Sequence, residues 1–184
     1  MKQFLVALMA LAAVAPLAAG VLADFAEGKG RASTTALERF FVAPVEVAVV
    51  EDAAAPNGKA LLAKIPGRKE GVKVGRYDVA ITLTAEEAAK IREVSFDIKF
   101  NDLKGLGWGM VYFQKPKVWA HCLRHPMPAA KTFKPGEWQH LVFPVSGFTP
   151  EGDGIALTDA RRLLISFFVL EPVEISIANI GIAE

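Results

Sequence analysis

Hydrophobic and polar residues alternate one by one along much of this chain, which is the pattern of a β-strand with one buried face. The run 94–101 shows it most clearly, because Val94, Phe96, Ile98 and Phe100 point one way and the four polar residues between them point the other. A helix would scatter those four apolar side chains around its circumference. The pattern therefore predicts a strand that covers a hydrophobic core.

Similar runs follow one another along the sequence. Strands are predicted at 37–42, 45–50, 60–65, 77–83, 94–101, 107–114, 118–123, 139–145, 163–170 and 173–177. Turn residues rich in Pro, Gly, Asn and Asp separate these runs, for example at 56–58 and 151–154. Two short segments are predicted to be helical: 85–92, which opens on a capping-box pattern from Thr84 to Glu87, and one turn within 157–162.

Many short strands with so few helices predict an all-β fold, either a mostly antiparallel β-sandwich or a barrel. No internal repeat, low-complexity tract or linker interrupts the pattern. We therefore expect one β-sandwich domain over residues 24–184.

The segment 1–23 is expected to be a secretory signal peptide. Lys2 precedes an apolar, Ala-rich run, and Val21, Leu22 and Ala23 offer small residues at both recognition positions of a cleavage site after Ala23. A membrane anchor is the alternative, since the run approaches the length that spans a bilayer. Cleavage predicts a secreted or periplasmic protein with no stable membrane insertion.

Charge and cysteine content exclude several classes of protein. The chain carries 21 Lys and Arg against 20 Asp and Glu, so it lacks the basic surface of a nucleic-acid-binding protein. Its one cysteine excludes an internal disulfide framework and a Cys-based zinc site. In an exported protein, Cys122 is expected to be buried.

Two segments in the second half of the chain have a distinctive pattern: 136–148 (GEWQHLVFPVSGF) and the closing run 173–182. In these segments the chain resembles the galactose-binding-like jelly rolls, which include carbohydrate-binding modules and complex I intermediate-associated proteins. Ala178 stands where the family often has Asp. The opening 24–28 (DFAEG) and the strand 94–100 also fit the family pattern. Trp138, just after a Pro-Gly turn, is expected to cap an end of the sandwich.

The resemblance implies a jelly-roll fold and, for many of its members, a structural calcium ion near the start of the domain. Asp24 and Glu27 are the corresponding candidates here, and Glu151 with Asp153 forms a second oxygen-rich loop. Calcium takes six to eight oxygens, more than the sequence identifies.

Sugar binding requires aromatic faces beside polar groups on one concave surface. The predicted hairpin 107–123 places Trp108 and Tyr112 on one face of its first strand and Trp119 and His121 on one face of its second, with Arg124 near the strand end. Asp97 and Lys99 would face the ligand from a neighbouring strand. These seven residues form the candidate ligand site; the alternative is that the two tryptophans fill the core.

Metal and catalytic sites find less support in the sequence. His121 and His125 are too far apart on a strand to share a zinc ion, and adjacent His121 and Cys122 point to opposite faces. A glycosidase needs two carboxylates across a cleft. Nothing in the sequence sets Asp78 and Asp97 across one, and Glu137 and Glu174 have no assignable partner.

The sequence thus predicts an exported, non-catalytic protein that resembles a carbohydrate-binding module and binds a polysaccharide or oligosaccharide. The first rival is a periplasmic or cell-surface protein-interaction or assembly domain of the same fold. A glycan-active enzyme ranks third.

Overall fold

Two antiparallel sheets packed face to face form the molecule in a computed structural model, which describes residues 19–25, 29–30, 32–36, 38–115 and 121–184. The strands of the first half are β1 (Ala19–Asp24), β2 (Lys29–Gly30), β3 (Ala32–Ala36), β4 (Glu46–Glu51), β5 (Lys59–Ile65), β6 (Gly75–Thr82) and β7 (Glu93–Phe100). Those of the second half are β8 (Leu106–Gln114), β9 (Cys122–Pro126), β10 (Gln139–Pro144), β11 (Thr149–Glu151), β12 (Arg162–Val169) and β13 (Val173–Ala183). One α-helix, α1 (Ala85–Lys90), and short 3-10 turns connect them.

Sheet A has the order β10-β7-β13-β1-β2, and β5 pairs with the first half of β13 while β4 continues the sheet beyond β5. Sheet B has the order β11-β9-β8-β12-β6-β3. Every strand pair of these two sheets is antiparallel. The predicted all-β sandwich is therefore confirmed.

The core lies between the sheets and is built from the alternating positions that the sequence pattern marks. Val94, Phe96, Ile98 and Phe100 of β7 are each at most 1% exposed. Across from them, sheet B contributes inward-facing residues such as Phe113 and Phe167, and the Phe100 and Phe167 rings meet edge to face with centroids 6.2 Å apart. Removing this apolar surface from water is the main stabilising contribution to such a fold.

Helix α1 begins where the capping box predicts. The Glu87 amide donates to Thr84 Oγ1 at 3.1 Å, and the Thr84 amide donates to the Glu87 carboxylate at 2.7 Å. These two bonds satisfy amide groups that a helix N-terminus otherwise leaves unpaired.

Two predicted strands differ from the structure. Within 37–42, residues Glu38–Phe40 form a 3-10 turn rather than a strand, and only Phe41 makes a bridge, to Arg68. The second strand of the hairpin, predicted at 118–123, extends to Pro126 over the described residues Cys122–Pro126, whereas residues 116–120 lie outside the described part. Strand ends are hard to place from the sequence because an apolar run near a turn does not mark where pairing stops.

Strand β1 overlaps the predicted leader. Ala19, Gly20 and Val21 pair with Ala183, Ile182 and Gly181 of β13, and Ala23 pairs with Ile180 after a bulge. Leu22 and Ala23 are buried, at 5% and 1% exposure. The predicted cleavage point after Ala23 therefore falls inside a paired strand of sheet A.

Trp138 does not cap an end of the sandwich as the sequence predicts. It packs on the outer face of sheet A against three small residues, Ala55, Ala60 and Ala178. Its indole N–H donates to Asp52 at 3.3 Å, and the Lys99 ammonium lies 5.2 Å from the centre of its ring. The small side chain of Ala178, where the family often has Asp, makes room for this packing.

None of the described helices is long and apolar enough to cross a membrane.

Candidate ligand-binding groove

The outer face of sheet B carries a groove of about 500 Å³ that runs along β8. Side chains alternate along β8. Val111 and Phe113 therefore face the core, and the residues between and beside them, Trp108, Met110, Tyr112 and Gln114, face outward into the groove. Neighbouring strands complete the lining with Arg76, Cys122, Arg124, Glu151 and Phe168. From Trp108 to Gln114 the groove follows the strand for about 20 Å at ~3.3 Å per residue.

One end of the groove is aromatic. Trp108 of β8 faces Phe168 of β12, and the two rings stack with centroids 4.7 Å apart and planes 12° from parallel. Trp108 remains 45% exposed, so the indole has an open surface for a ligand. On the far side, the Arg76 guanidinium lies 5.5 Å from the centre of the Phe168 ring.

Tyr112 is far more buried than Trp108 and offers little surface on which a ligand could stack. It is 7% exposed, and the Arg76 guanidinium lies 5.2 Å from the centre of its ring. Arg76 is itself held by Asp78, which accepts from its Nε at 2.8 Å, and it donates to Ser166 at 3.2 Å. Burial raises the pKa of the Tyr112 phenol, so this group stays protonated at neutral pH.

The other end of the groove is polar. Gln114, Cys122 and Glu151 lie side by side on β8, β9 and β11, and the next row places Tyr112 beside Arg124. Arg124 forms an ion pair with Glu151 at 3.2 Å, with both side chains nearly half exposed. The Cys122 thiol is buried and donates to Glu151 at 3.6 Å. Burial, reinforced by the Glu151 charge, raises the pKa of this thiol to about 11.

Three of the seven predicted ligand residues thus meet in the groove: Trp108, Tyr112 and Arg124. Asp97 and Lys99 do not, because β7 belongs to sheet A and their side chains lie on the opposite outer surface of the sandwich. There Asp97 accepts hydrogen bonds from His140 at 2.9 Å and Asn179 at 2.8 Å. The expectation that β7 lies beside the aromatic strand is wrong, since consecutive strands β7 and β8 cross between the sheets.

The remaining two predicted residues are Trp119 and His121. Trp119 lies outside the described residues. His121 precedes β9 and accepts a hydrogen bond from the Asp153 amide at 2.9 Å through Nδ1.

No cluster of three or more His, Cys, Asp or Glu side chains suited to a metal ion occurs in the described residues. The three histidines have separate surroundings: His121 contacts Asp153, His140 contacts Asp97, and the His125 ring packs against Phe143 and Phe148. Asp24 ends β1, and Glu27, its expected partner for calcium, lies outside the described part.

Six groove residues were not among the predicted ligand residues: Arg76, Met110, Gln114, Cys122, Glu151 and Phe168. The sequence carries a signal for three of them, Met110, Gln114 and Phe168. Segments 107–114 and 163–169 are mostly apolar on both alternating faces, and two such strands side by side line a groove with their outer residues. Arg76 and Glu151 sit at strand ends where no periodic pattern marks them.

A second cavity of about 400 Å³ lies at one end of sheet A, lined mainly by prolines and by the charged residues Glu46, Lys64, Asp102 and Glu174. It lacks any aromatic side chain among its described lining residues. The groove on sheet B, with its exposed indole, is therefore the candidate ligand site.

No protein-family model matches the sequence, and no curated protein matches it either. Solved structures, in contrast, do match this chain. The chain is similar to the family 11 carbohydrate-binding module of the cellulosomal cellulase Lic26A-Cel5E of Clostridium thermocellum, with a TM-score of 0.66 and 16% identity over 92% of this chain and 96% of that one.

Two further structures have the same architecture. A family 11 module from Clostridium thermocellum, in complex with a β-1,3-1,4-mixed-linked tetrasaccharide, matches with a TM-score of 0.65 and 16% identity over 90% of this chain and 95% of that one. The family 30 module of the cellulosomal cellulase Cel9D-Cel44B matches with a TM-score of 0.55 and 14% identity over 84% and 91%. The chain therefore has the β-sandwich fold of carbohydrate-binding modules, as the sequence resemblance implies.

Proposed function

We propose that this protein is an exported, non-catalytic glycan-binding module and that the groove on the outer face of sheet B is its binding site. The observation that carries the proposal is the half-exposed indole of Trp108 in line with a polar row, Gln114, Cys122 and Glu151. The apolar faces of sugar rings stack on aromatic rings, and their hydroxyls need donors and acceptors alongside.

The size and length of the groove suit a short stretch of a polysaccharide chain. Its volume of about 500 Å³ falls within the usual range of small-molecule sites. The structurally similar family 11 module is in complex with a tetrasaccharide, which is a precedent for an oligosaccharide ligand on this fold.

The charge of the groove favours a neutral glycan. Two cations, Arg76 and Arg124, line it, and each is paired with a carboxylate, Asp78 and Glu151 respectively. A polyanion gains little from cations that are already neutralised, and it is repelled by Glu151. Hydroxyl-rich neutral sugars avoid this repulsion.

Two further features support a binding role without catalysis and a role outside the cytoplasm. Glu151 is the one carboxylate among the described residues that line the groove, whereas glycoside hydrolysis uses a pair. The apolar run near the start of the sequence supports export to the periplasm or the cell exterior.

Affinity electrophoresis tests the proposal. The folded protein is run through native gels that contain neutral polysaccharides (mixed-linkage β-glucan, xylan, galactomannan, agarose) or acidic ones (alginate, pectate). We expect at least one neutral polysaccharide to retard the protein, and Trp108→Ala to weaken that binding about ten-fold or more.

A matched control exists on the opposite surface. Val142 of β10 is 46% exposed, almost the same as Trp108, but lies on sheet A. Val142→Ala should leave retardation unchanged. Retardation by none of the polysaccharides, or equal loss with both variants, would contradict the proposal.

A protein-interaction role is the second candidate, and the exposed valines of sheet A favour it. Val47 and Val49 of β4 are 38% and 54% exposed, and β4 pairs only with β5 among the described strands. An edge strand with apolar side chains can pair with another chain. Stable self-association or capture of a defined partner, lost in Val49→Lys and unaffected by Trp108→Ala, would support this role over glycan binding.

A further inference from the structure

The amide side chain of Gln114 lies in the groove without a hydrogen-bond partner among the residues that the structure describes. Gln114 is 3% exposed and lines the polar end of the groove, between Cys122 of β9 and Arg162 of β12. Its backbone carbonyl accepts a hydrogen bond from the Arg161 amide. No described residue forms a hydrogen bond with its carboxamide, which is able to form up to four.

Among the described residues, the carboxamide atoms are not counted with the fully buried side-chain atoms that lack a partner, so they still reach the space of the groove. The neighbouring polar groups are already used: the Cys122 thiol donates to Glu151, and Glu151 is paired with Arg124. A methionine would fill the same space on β8 without offering a donor or an acceptor. The donors and acceptor of the Gln114 amide are therefore available to a partner that arrives from the groove.

We propose that the carboxamide of Gln114 is the specificity-determining group of the groove: Nε2 donates to one hydroxyl of a bound sugar and Oε1 accepts from an adjacent one. This inference rests on the proposed glycan-binding function. It assigns distinct roles to the two ends. Stacking on Trp108 supplies affinity for any pyranose ring with an apolar face, whereas a planar amide in a fixed position distinguishes how two hydroxyls are arranged.

Gln114→Met tests the assignment, because methionine has a similar length and shape and no polar amide. We expect its midpoint of urea unfolding to stay close to that of the wild type, since the substitution removes no hydrogen bond to a described residue. We also expect about ten-fold weaker binding to the neutral polysaccharide that the wild type prefers, and loss of discrimination between that polysaccharide and one whose sugars differ at a single hydroxyl. Trp108→Ala, in contrast, should weaken binding to both polysaccharides and preserve their ratio.

The possible results distinguish the role of Gln114 from the glycan-binding function of the groove. Wild-type binding that Gln114→Met leaves unchanged in strength and preference would overturn the role of Gln114 and retain the groove. A Gln114→Met variant that unfolds at lower urea and binds less in proportion would show a structural residue, which also overturns it. Absence of binding by the wild type would overturn both the inference and the proposed function.

A second inference concerns the start of the exported chain, and it is carried by strand β1. Three of the register pairs with β13 involve Ala19, Gly20 and Val21, and the fourth involves Ala23. Leu22 belongs to the main core together with Ile180 and Ile182 of the facing segment of β13. Cleavage after Ala23 would remove Leu22 and Ala23 and leave Gly181–Ala183 of β13 paired on one side only, with β7.

We propose that the leader is removed N-terminal to Val21, so that Val21–Asp24 remain in sheet A. The sequence offers a suitable position: Ala18 and Gly20 are small residues two apart, as signal peptidase requires at positions −3 and −1. A cut there or further upstream preserves Leu22 and Ala23. This inference rests on the proposed export and is independent of what the groove binds.

Expression of the full chain in a bacterial host, followed by intact mass measurement of the exported protein, tests it. We expect an N-terminus at Val21 or upstream of it. In parallel, chains that start at Val21 and at Asp24 after an initiator Met are compared by urea unfolding, and the shorter chain should unfold at a clearly lower urea concentration. An exported protein that begins at Asp24, or equal unfolding of the two chains, would overturn the inference, as would an exported chain that keeps residues 1–18.

Discussion

Trp108 is backed by Phe168 across the boundary between β8 and β12, with the two rings nearly parallel. This contact covers one face of the indole and leaves the other open. A tryptophan side chain without such a contact would lose conformational freedom on binding a sugar, and that loss opposes binding. Phe168 reduces the loss because it holds the indole in place beforehand. We therefore regard Phe168 as the residue that positions the stacking surface.

Phe168→Ala is expected to weaken glycan binding several-fold. The physical reason is that the indole then samples several rotamers. With 5-fluorotryptophan incorporated, the 19F resonance of Trp108, assigned through Trp108→Phe, should shift or broaden in the variant. Unchanged affinity together with an unchanged Trp108 resonance would contradict a positioning role.

Asn179 has a left-handed backbone, with φ at 47°. Its Nδ2 donates to the Asp97 carboxylate at 2.8 Å, and its Oδ1 accepts from Asn57. Asn179→Gly keeps the backbone unstrained and loses these bonds, which should cost about 1–3 kcal/mol. Asn179→Ala loses the bonds and adds strain, so it should be about 1 kcal/mol less stable than the glycine variant. Urea unfolding measures both, and equal stability of the two variants would argue against strain at this bulge.

Asp52 should make the stability of the fold depend on pH in the acid range. The hydrogen bond from Lys99 holds the pKa of Asp52 below its ordinary value of 3.8. A carboxyl group with a depressed folded-state pKa stabilises the protein above the unfolded-state pKa, and the contribution disappears as the pH falls through the folded-state pKa. Asp52→Asn should therefore cost about 1–2 kcal/mol at pH 7 and progressively less below about pH 4.

Urea unfolding between pH 7 and pH 3 gives this difference directly. Glu70→Gln is a suitable control, because Glu70 lies exposed in the loop before β6, and its stability difference should stay small throughout. A cost of Asp52→Asn that is independent of pH would rule out the ion pair as its origin.

Gly105 is required by a close approach of two chain segments. A Cβ at this position would lie 2.2 Å from the carbonyl oxygen of Glu171 and 2.4 Å from that of Pro172. Backbone oxygens cannot move away as a flexible side chain would, so Gly105→Ala should cost about 3 kcal/mol. A thermal midpoint of Gly105→Ala equal to that of the wild type would contradict this account.

The Cys122 thiol should be unreactive in the folded protein. It is 1% exposed, and its pKa is raised to about 11 by burial and the nearby Glu151 charge. Since the thiolate is the reactive form, reaction with a thiol reagent at pH 8 should be at least a hundred-fold slower than in denaturant. Rapid reaction in native buffer would show that this end of the groove opens.

Much of the fold follows from alternation alone. Leu141 and Phe143 of β10 are buried and Val142 is exposed, as the pattern predicts, and the same holds for the four apolar residues of β7. Pro144 ends a strand at the edge of sheet A, where a residue without an amide donor is tolerated. Cys122 is buried, as expected for a lone cysteine in an exported protein.

The candidate site was predictable only in part. Trp108, Tyr112 and Arg124 lie on one hairpin, and local alternation is enough to place them together. Asp97 and Lys99 were assigned to the same surface because β7 and β8 are consecutive. A short connection between strands is compatible with either pairing in one sheet or crossing to the other, and nothing in 101–105 distinguishes the two.

The sequence by itself determined which side of each strand faces the core, because apolar side chains must leave water wherever the strand finds a partner. Only the tertiary structure decided which strands lie side by side, and hence which outward residues share a surface. Gln114 shows the difference. Its position at the end of an apolar strand is local information, whereas the groove around its amide is made by Cys122, Glu151 and Arg124, which long-range pairing brings beside it.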